Sequence, residues 1–188
     1  HKSWGNAIWF DEAVERMGAD VMRWIYASHS PTITLNFGYR LADEVRRKLL
    51  TLWHVYSFFT TYANIDGWQP AVDEKGRLET GFREKRAVGG HGDVPLLDRW
   101  LEARRRQYFQ AVRKSMDAFD VQAAMREHES FLDDLSNWYV RRSRRRFWKN
   151  ENDADKESAY ETLYQALLTM LHLLAPILPF ITEHLYQN

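Results

Sequence analysis

The chain has 188 residues, with 26 basic and 26 acidic side chains and no cysteine. That length suits one well-packed domain with a small appendage, and the balanced charge excludes a global field that would draw it to nucleic acid, so any such binding must come from local patches. Without cysteine, a disulfide scaffold and a thiolate metal site are excluded within this stretch, a composition that fits a reducing compartment; no apolar run approaches the ~20 residues of a membrane span.

Two short segments open the chain. Asp11 is placed to cap "DEAVERM", which stops at Gly18, and Asp20 to cap "DVMRWIYAS", which ends before Pro31. With the residues before them they make a predicted appendage, 1–35, ahead of a helical bundle over 36–188. The one strand candidate, "TITLNF" at 32–37, is too short to found a sheet. Over 38–64, Leu41, Val45, Leu49, Leu52, Tyr56, Phe59 and Ala63 follow at spacings of 4, 4, 3, 4, 3 and 4, one stripe of a long helix.

The stretch 66–94 holds most of the glycines and many charges, and reads as a long irregular connector. Beyond it, Leu97, Trp100, Leu101, Tyr108 and Val112 predict a helix over 95–118, with Pro95 suited to its first turn. Asp120 is a predicted N-cap for a third helix running to about Trp148. Tyr160, Leu163, Leu167, Met170 and Leu174 predict a fourth over 155–174, which Pro176 and Pro179 break before a short helix from about Phe180. Each stripe must be buried against another, so the expected fold is all-α, an up-down helical bundle.

The strongest chemical signal is "LSNWYVRRSRRRFWKN" at 135–150. At ~100° per residue, Leu132, Leu135, Tyr139, Ser143 and Phe147 gather on one side, and Asn137, Trp138, Arg141, Arg145 and Trp148 on the other. Guanidinium groups beside indoles suit RNA: the cations hold phosphates and the rings stack unpaired bases. A structural reading stays open, because Glu151, Asp153, Asp155 and Glu157 follow closely and can pair with Arg141, Arg142, Arg144, Arg145, Arg146 and Lys149. Elsewhere the residues offer little. His128 with Glu127 and Glu129 lacks the spacing of a metal pair, His172 and His184 stand alone as cap or packing residues, and the adjacent Asp133 and Asp134 point apart. No metal site and no nucleophile with its base is predicted.

Several stretches together resemble class I aminoacyl-tRNA synthetases, and among them the isoleucine enzymes. "HKSWGN" at 1–6 is similar to the end of the Lys-Met-Ser-Lys-Ser signature loop, with His1, Lys2 and Ser3 at its last three positions; His1 departs from the usual serine. "GADVMRWIYASHSP" resembles the segment after that loop. "VRRKLLTLWHVYSFFTTYANIDGW", "LDRWL", "DLSNWYVRRSRRRFW" and "LLAPILPFITEHLYQN" are similar to the C-terminal half of the isoleucine enzymes, and the long arginine-tryptophan string is the most specific of them. His54 stands where that family more often has asparagine. The resemblance covers nearly the whole chain apart from 70–94.

The resemblance implies an anticodon-binding helical bundle preceded by a short helical stem-contact segment. It implies that Lys2 and Ser3 are the remnant of an ATP-binding loop, with Lys2 matching the lysine that stabilises charge on the transferring phosphates. The parent would attach isoleucine to tRNA(Ile) with ATP and magnesium, using catalytic and editing domains of the same chain that lie outside this one. The piece alone would be catalytically incompetent, with neither ATP nor magnesium bound, and a cytoplasmic monomer that touches no membrane. Asn137, Trp138, Arg141, Arg142, Arg145 and Trp148 would contact tRNA(Ile). The alternative is a helical interaction module whose basic helix holds an acidic protein partner.

Overall fold

Helices follow the apolar stripes. In the computed structural model, which describes residues 7–71 and 94–188, α1 (Phe10–Met17), α2 (Ala19–Ala27), α3 (Tyr39–Asp66) and α4 (Leu96–Asp117) precede α5 (Val121–Asp133). A π-helical stretch (Asp134–Val140) continues α5 into α6 (Arg141–Trp148), and α7 (Ala154–Leu174) and α8 (Pro179–Gln187) complete the order. No strand occurs among the described residues, and 32–37 is irregular. Lys2, Ser3 and most of the 66–94 connector lie outside the described residues.

The long helices alternate in direction. The rod formed by α5, the π stretch and α6 runs antiparallel to α4. Asp98 meets Arg146 at 2.7 Å, Arg104 meets Asp134 at 2.6 Å, and Tyr108 meets His128. Along α7 the order is parallel to α4, Asp98 touching Ser158 and Arg105 touching Thr169. The end of α3 is clipped to the start of α7 by Lys156 and Asp66 at 2.5 Å. Leu52, Leu101, Phe131, Leu135, Leu163 and Met170 fill the centre at full burial, and Trp24 and Ile25 of α2 belong to the same core.

Two predicted caps are corrected. The N-cap of α1 is Trp9, whose carbonyl accepts from the Ala13 N–H at 2.9 Å; Asp11 lies inside the first turn. Gly18 ends α1 and starts α2 at φ 88°, a left-handed conformation that glycine adopts without the Cβ clash. Asp20 is therefore also inside a first turn, and its carboxylate reaches across the molecule to accept the Ile181 N–H at 2.6 Å, capping α8. Asp120 caps α5 as predicted, accepting from the Ala123 N–H at 2.9 Å, and Asp153 caps α7 in the same way.

The expected unbroken α-helix over 120–148 is corrected as well. From Leu135 the buried positions run Tyr139, Ser143 and Phe147, three successive steps of four residues. In an α-helix each such step overshoots a full turn by about 40°, which would carry Phe147 about 120° away from Leu135. The π stretch widens the turn and takes up the surplus, so all four residues keep facing the core.

Candidate nucleic-acid interface

The rod of α5, the π stretch and α6 has an inner and an outer face. Inside, Phe147 is wedged edge-on against Phe58 at 5.1 Å and Tyr160 at 5.0 Å. Ser143 is fully buried and donates its hydroxyl proton to the Tyr139 carbonyl four residues back. The polar centre of this face is Asp98 of α4, which has no exposed surface. Its carboxylate accepts from the Tyr139 hydroxyl (2.8 Å), from both Arg146 terminal nitrogens (2.7 and 2.8 Å) and from the Ser158 hydroxyl (2.6 Å). Burial works to raise the Asp98 pKa, but the Arg146 fork and the two hydroxyls outweigh it and hold the carboxyl below its usual range. Burial likewise opposes the Arg146 charge, and its bonds to Asp98 and Asp155 overcome that and raise its pKa.

Arg146 also reaches Asp155 at 2.9 Å, and Lys149 pairs with Asp153 at 2.6 Å and Asp155 at 3.1 Å. Two cations of the basic run are thus structural, tied to the acidic segment that follows it. Glu157 has a different role, accepting from the Trp68 indole N–H at 2.7 Å.

The outer face is different. Asn137, Trp138, Arg141, Arg142, Arg144, Arg145 and Trp148 are all exposed. Arg141, Arg144 and Arg145 have no hydrogen-bond or ion-pair partner among the described residues. Arg142 lies over the Trp138 ring at 3.8 Å, and Trp138 tilts against Trp100 of α4 at 6.2 Å. Trp148 is 54% exposed, with no ring or cation against it among the described residues. Asn137 donates to the Asp133 carboxylate one turn back. The predicted RNA-facing residues therefore share one surface, with Trp138 covered by Arg142 and Trp148 open.

Sequence reasoning missed the polar interior. Asp98 stands inside the α4 apolar stripe between Leu97 and Leu101, and an acid at a core position of an amphipathic helix is a signal for a buried cationic partner. His128 is buried, shares a hydrogen bond with the Tyr108 hydroxyl through Nδ1, and has its pKa pushed down to about 4 by burial. His184 stacks on Trp53 at 5.8 Å and His172 tilts against Tyr186 at 5.7 Å, both in packing roles. Among the described residues no group of three His, Asp or Glu side chains can hold a metal ion, and no helix is long and apolar enough to cross a membrane.

Comparison with known proteins shows what the chain is similar to. The family profile described as the anticodon-binding domain of tRNA ligases matches residues 98–188, beginning at Asp98 itself. Along its whole length the chain is similar to isoleucine–tRNA ligases. It is 48% identical over 189 residues to that of Dehalococcoides mccartyi strain 195 and 44% identical over 190 residues to that of Thermus thermophilus, covering 100% of this chain and 17% of each ligase. Against the ligase of Treponema pallidum strain Nichols it is 38% identical over 181 residues, 95% of this chain and 16% of the ligase. The chain spans about 17% of the length of these curated relatives.

Proposed function

We propose, for a chain that belongs to the isoleucine–tRNA ligase family and carries the anticodon-binding domain of tRNA ligases, that the outer face of α6 and the adjoining π stretch hold the anticodon arm of tRNA(Ile). The observation that carries the reading is the set of exposed arginines without internal partners, Arg141, Arg144 and Arg145, beside the uncovered ring of Trp148. Guanidinium groups left unpaired by the fold are available to phosphates, and an open indole stacks an unpaired base. Asn137, Trp138 and Arg142 border the same surface and complete the contact. α1 and α2 brace the inner side of the tRNA.

In the longer ligases this segment serves the attachment of isoleucine to tRNA(Ile) with ATP and magnesium, in the cytoplasm and as a step of protein synthesis. By itself the chain recognises tRNA and activates no amino acid.

Titration of the purified protein with a tRNA(Ile) transcript tests this. Saturable binding should weaken steeply with salt, because each neutralised phosphate releases counterions. Binding that saturates instead with an acidic protein and is indifferent to tRNA would select the protein-interaction reading.

A further inference from the structure

We propose that Asp98 is a positioning residue for RNA binding: from inside the bundle, acting through Arg146, it fixes the rotation of α6 about its axis and so aims Arg141, Arg145 and Trp148 outward. The inference rests on the reading of that face as an RNA-contact surface.

Asp98 belongs to α4, yet its carboxylate ties down the π stretch through Tyr139, α6 through Arg146 and α7 through Ser158. The Arg146 contact is a two-pronged fork, which sets the plane and direction of the guanidinium as well as its distance. α6 has need of such a reference. It is eight residues long and follows a π stretch, and its buried side chains are Ser143 and Phe147. A slip by one residue would turn it by ~100°, enough to swing Arg145 from solvent toward the core. Apolar packing would supply stability at least as well as a buried ion pair, but it is less directional, and fixing registry is the best-attested use of buried polar groups.

Two features separate positioning from direct action. Asp98 has no exposed surface, so it cannot touch RNA. Its charge is negative, so its field alone opposes a polyanion, and removing it should tighten binding if nothing else changed.

The test measures anisotropy of a labelled tRNA(Ile) transcript against the purified protein, for Asp98→Asn, Arg146→Gln and the double variant, at temperatures where circular dichroism shows each fully folded. The expected result is affinity about tenfold weaker in each single variant, and no weaker in the double, because the pair acts as one unit. Unchanged or tighter binding by folded Asp98→Asn, with only a lowered Tm, overturns the proposal. So does a double variant whose loss is the sum of the two. If Asp98→Asn does not fold, Tyr139→Phe removes one of the four donors and is read the same way: about threefold weaker binding supports the proposal and unchanged binding overturns it. Loss of affinity in Arg145→Ala without loss in Asp98→Asn defeats this proposal and leaves the RNA reading standing. No tRNA binding by the unaltered protein defeats both.

Discussion

Arg145 and Arg146 are neighbours in the chain and face opposite environments. Arg146 is drawn inward, its terminal nitrogens paired with Asp98 and Asp155 and its buried Nε without a hydrogen-bond partner; Arg145 is exposed, with no partner among the described residues. One residue of helix is ~100° of rotation, and here it separates a cation that holds the bundle together from one that the bundle leaves unused. The same division runs through the tryptophans. Trp138 is covered by Arg142 and leans on Trp100, while Trp148 is open. A run of basic residues is thus two populations, told apart by which acids stand opposite.

The sharpest way to break this comparison is to truncate both arginines. Arg146→Ala leaves the Asp98 carboxylate buried without its charge partner and should cost about 3–5 kcal/mol of stability, whereas Arg145→Ala should stay within about 0.5 kcal/mol, both read from urea unfolding. Equal costs would erase the distinction between the faces.

The inner face should also respond to pH in two windows of the same sign. His128 has its pKa lowered from 6.5 to about 4, so the unfolded chain binds the proton more readily. Its contribution is complete above pH 6.5 and is lost as pH falls toward about 4, on the order of 3 kcal/mol in all. Asp98, held below its ordinary 3.8, contributes above that value and loses its contribution only as pH falls through its lower folded pKa. Unfolding free energies at a series of pH values should show the first loss, and His128→Gln should flatten it.

The outer face should show its effects in binding instead. Trp148→Ala should weaken tRNA affinity by about 1–3 kcal/mol with little change in salt slope, and Trp138→Ala by less, since Arg142 already covers its ring. Smallest in energy, Arg141→Ala and Arg145→Ala should each lower the salt slope by roughly 0.7–0.9 and leave the Tm in place. A fall in Tm with an unchanged slope would move these two arginines into the structural population.

The fold was legible because apolar periodicity is a property of one helix at a time: Val45, Leu49, Leu52 and Phe59 announce the buried side of α3 without reference to any partner. The orientation of Tyr139, Ser143 and Phe147 was legible for the same reason. What stayed hidden depends on residues far away in the chain. The partners of Asp98 lie on three other segments, and nothing beside Asp20 says that it will cap a helix 161 residues away. The π stretch was hidden differently: steps of four are ordinary in an α-helix, and Thr162, Ala166, Met170 and Leu174 take three in succession, all buried, along an unbroken α7, so the spacing of Leu135, Tyr139, Ser143 and Phe147 does not by itself announce a wider turn. The RNA contacts assigned to Asn137, Trp138, Arg141, Arg142, Arg145 and Trp148 remain a proposal that the binding measurements decide.

The bond between Asp20 and Ile181 has a kinetic consequence. It joins the first helices to the last, and Arg23 reinforces it by donating to the carbonyls of Pro176 and Ile177. Contacts between distant parts of a chain form late, because a long loop must close before they are rewarded. The start of α8 therefore waits for α2 to dock. Cutting away either end should therefore loosen the other.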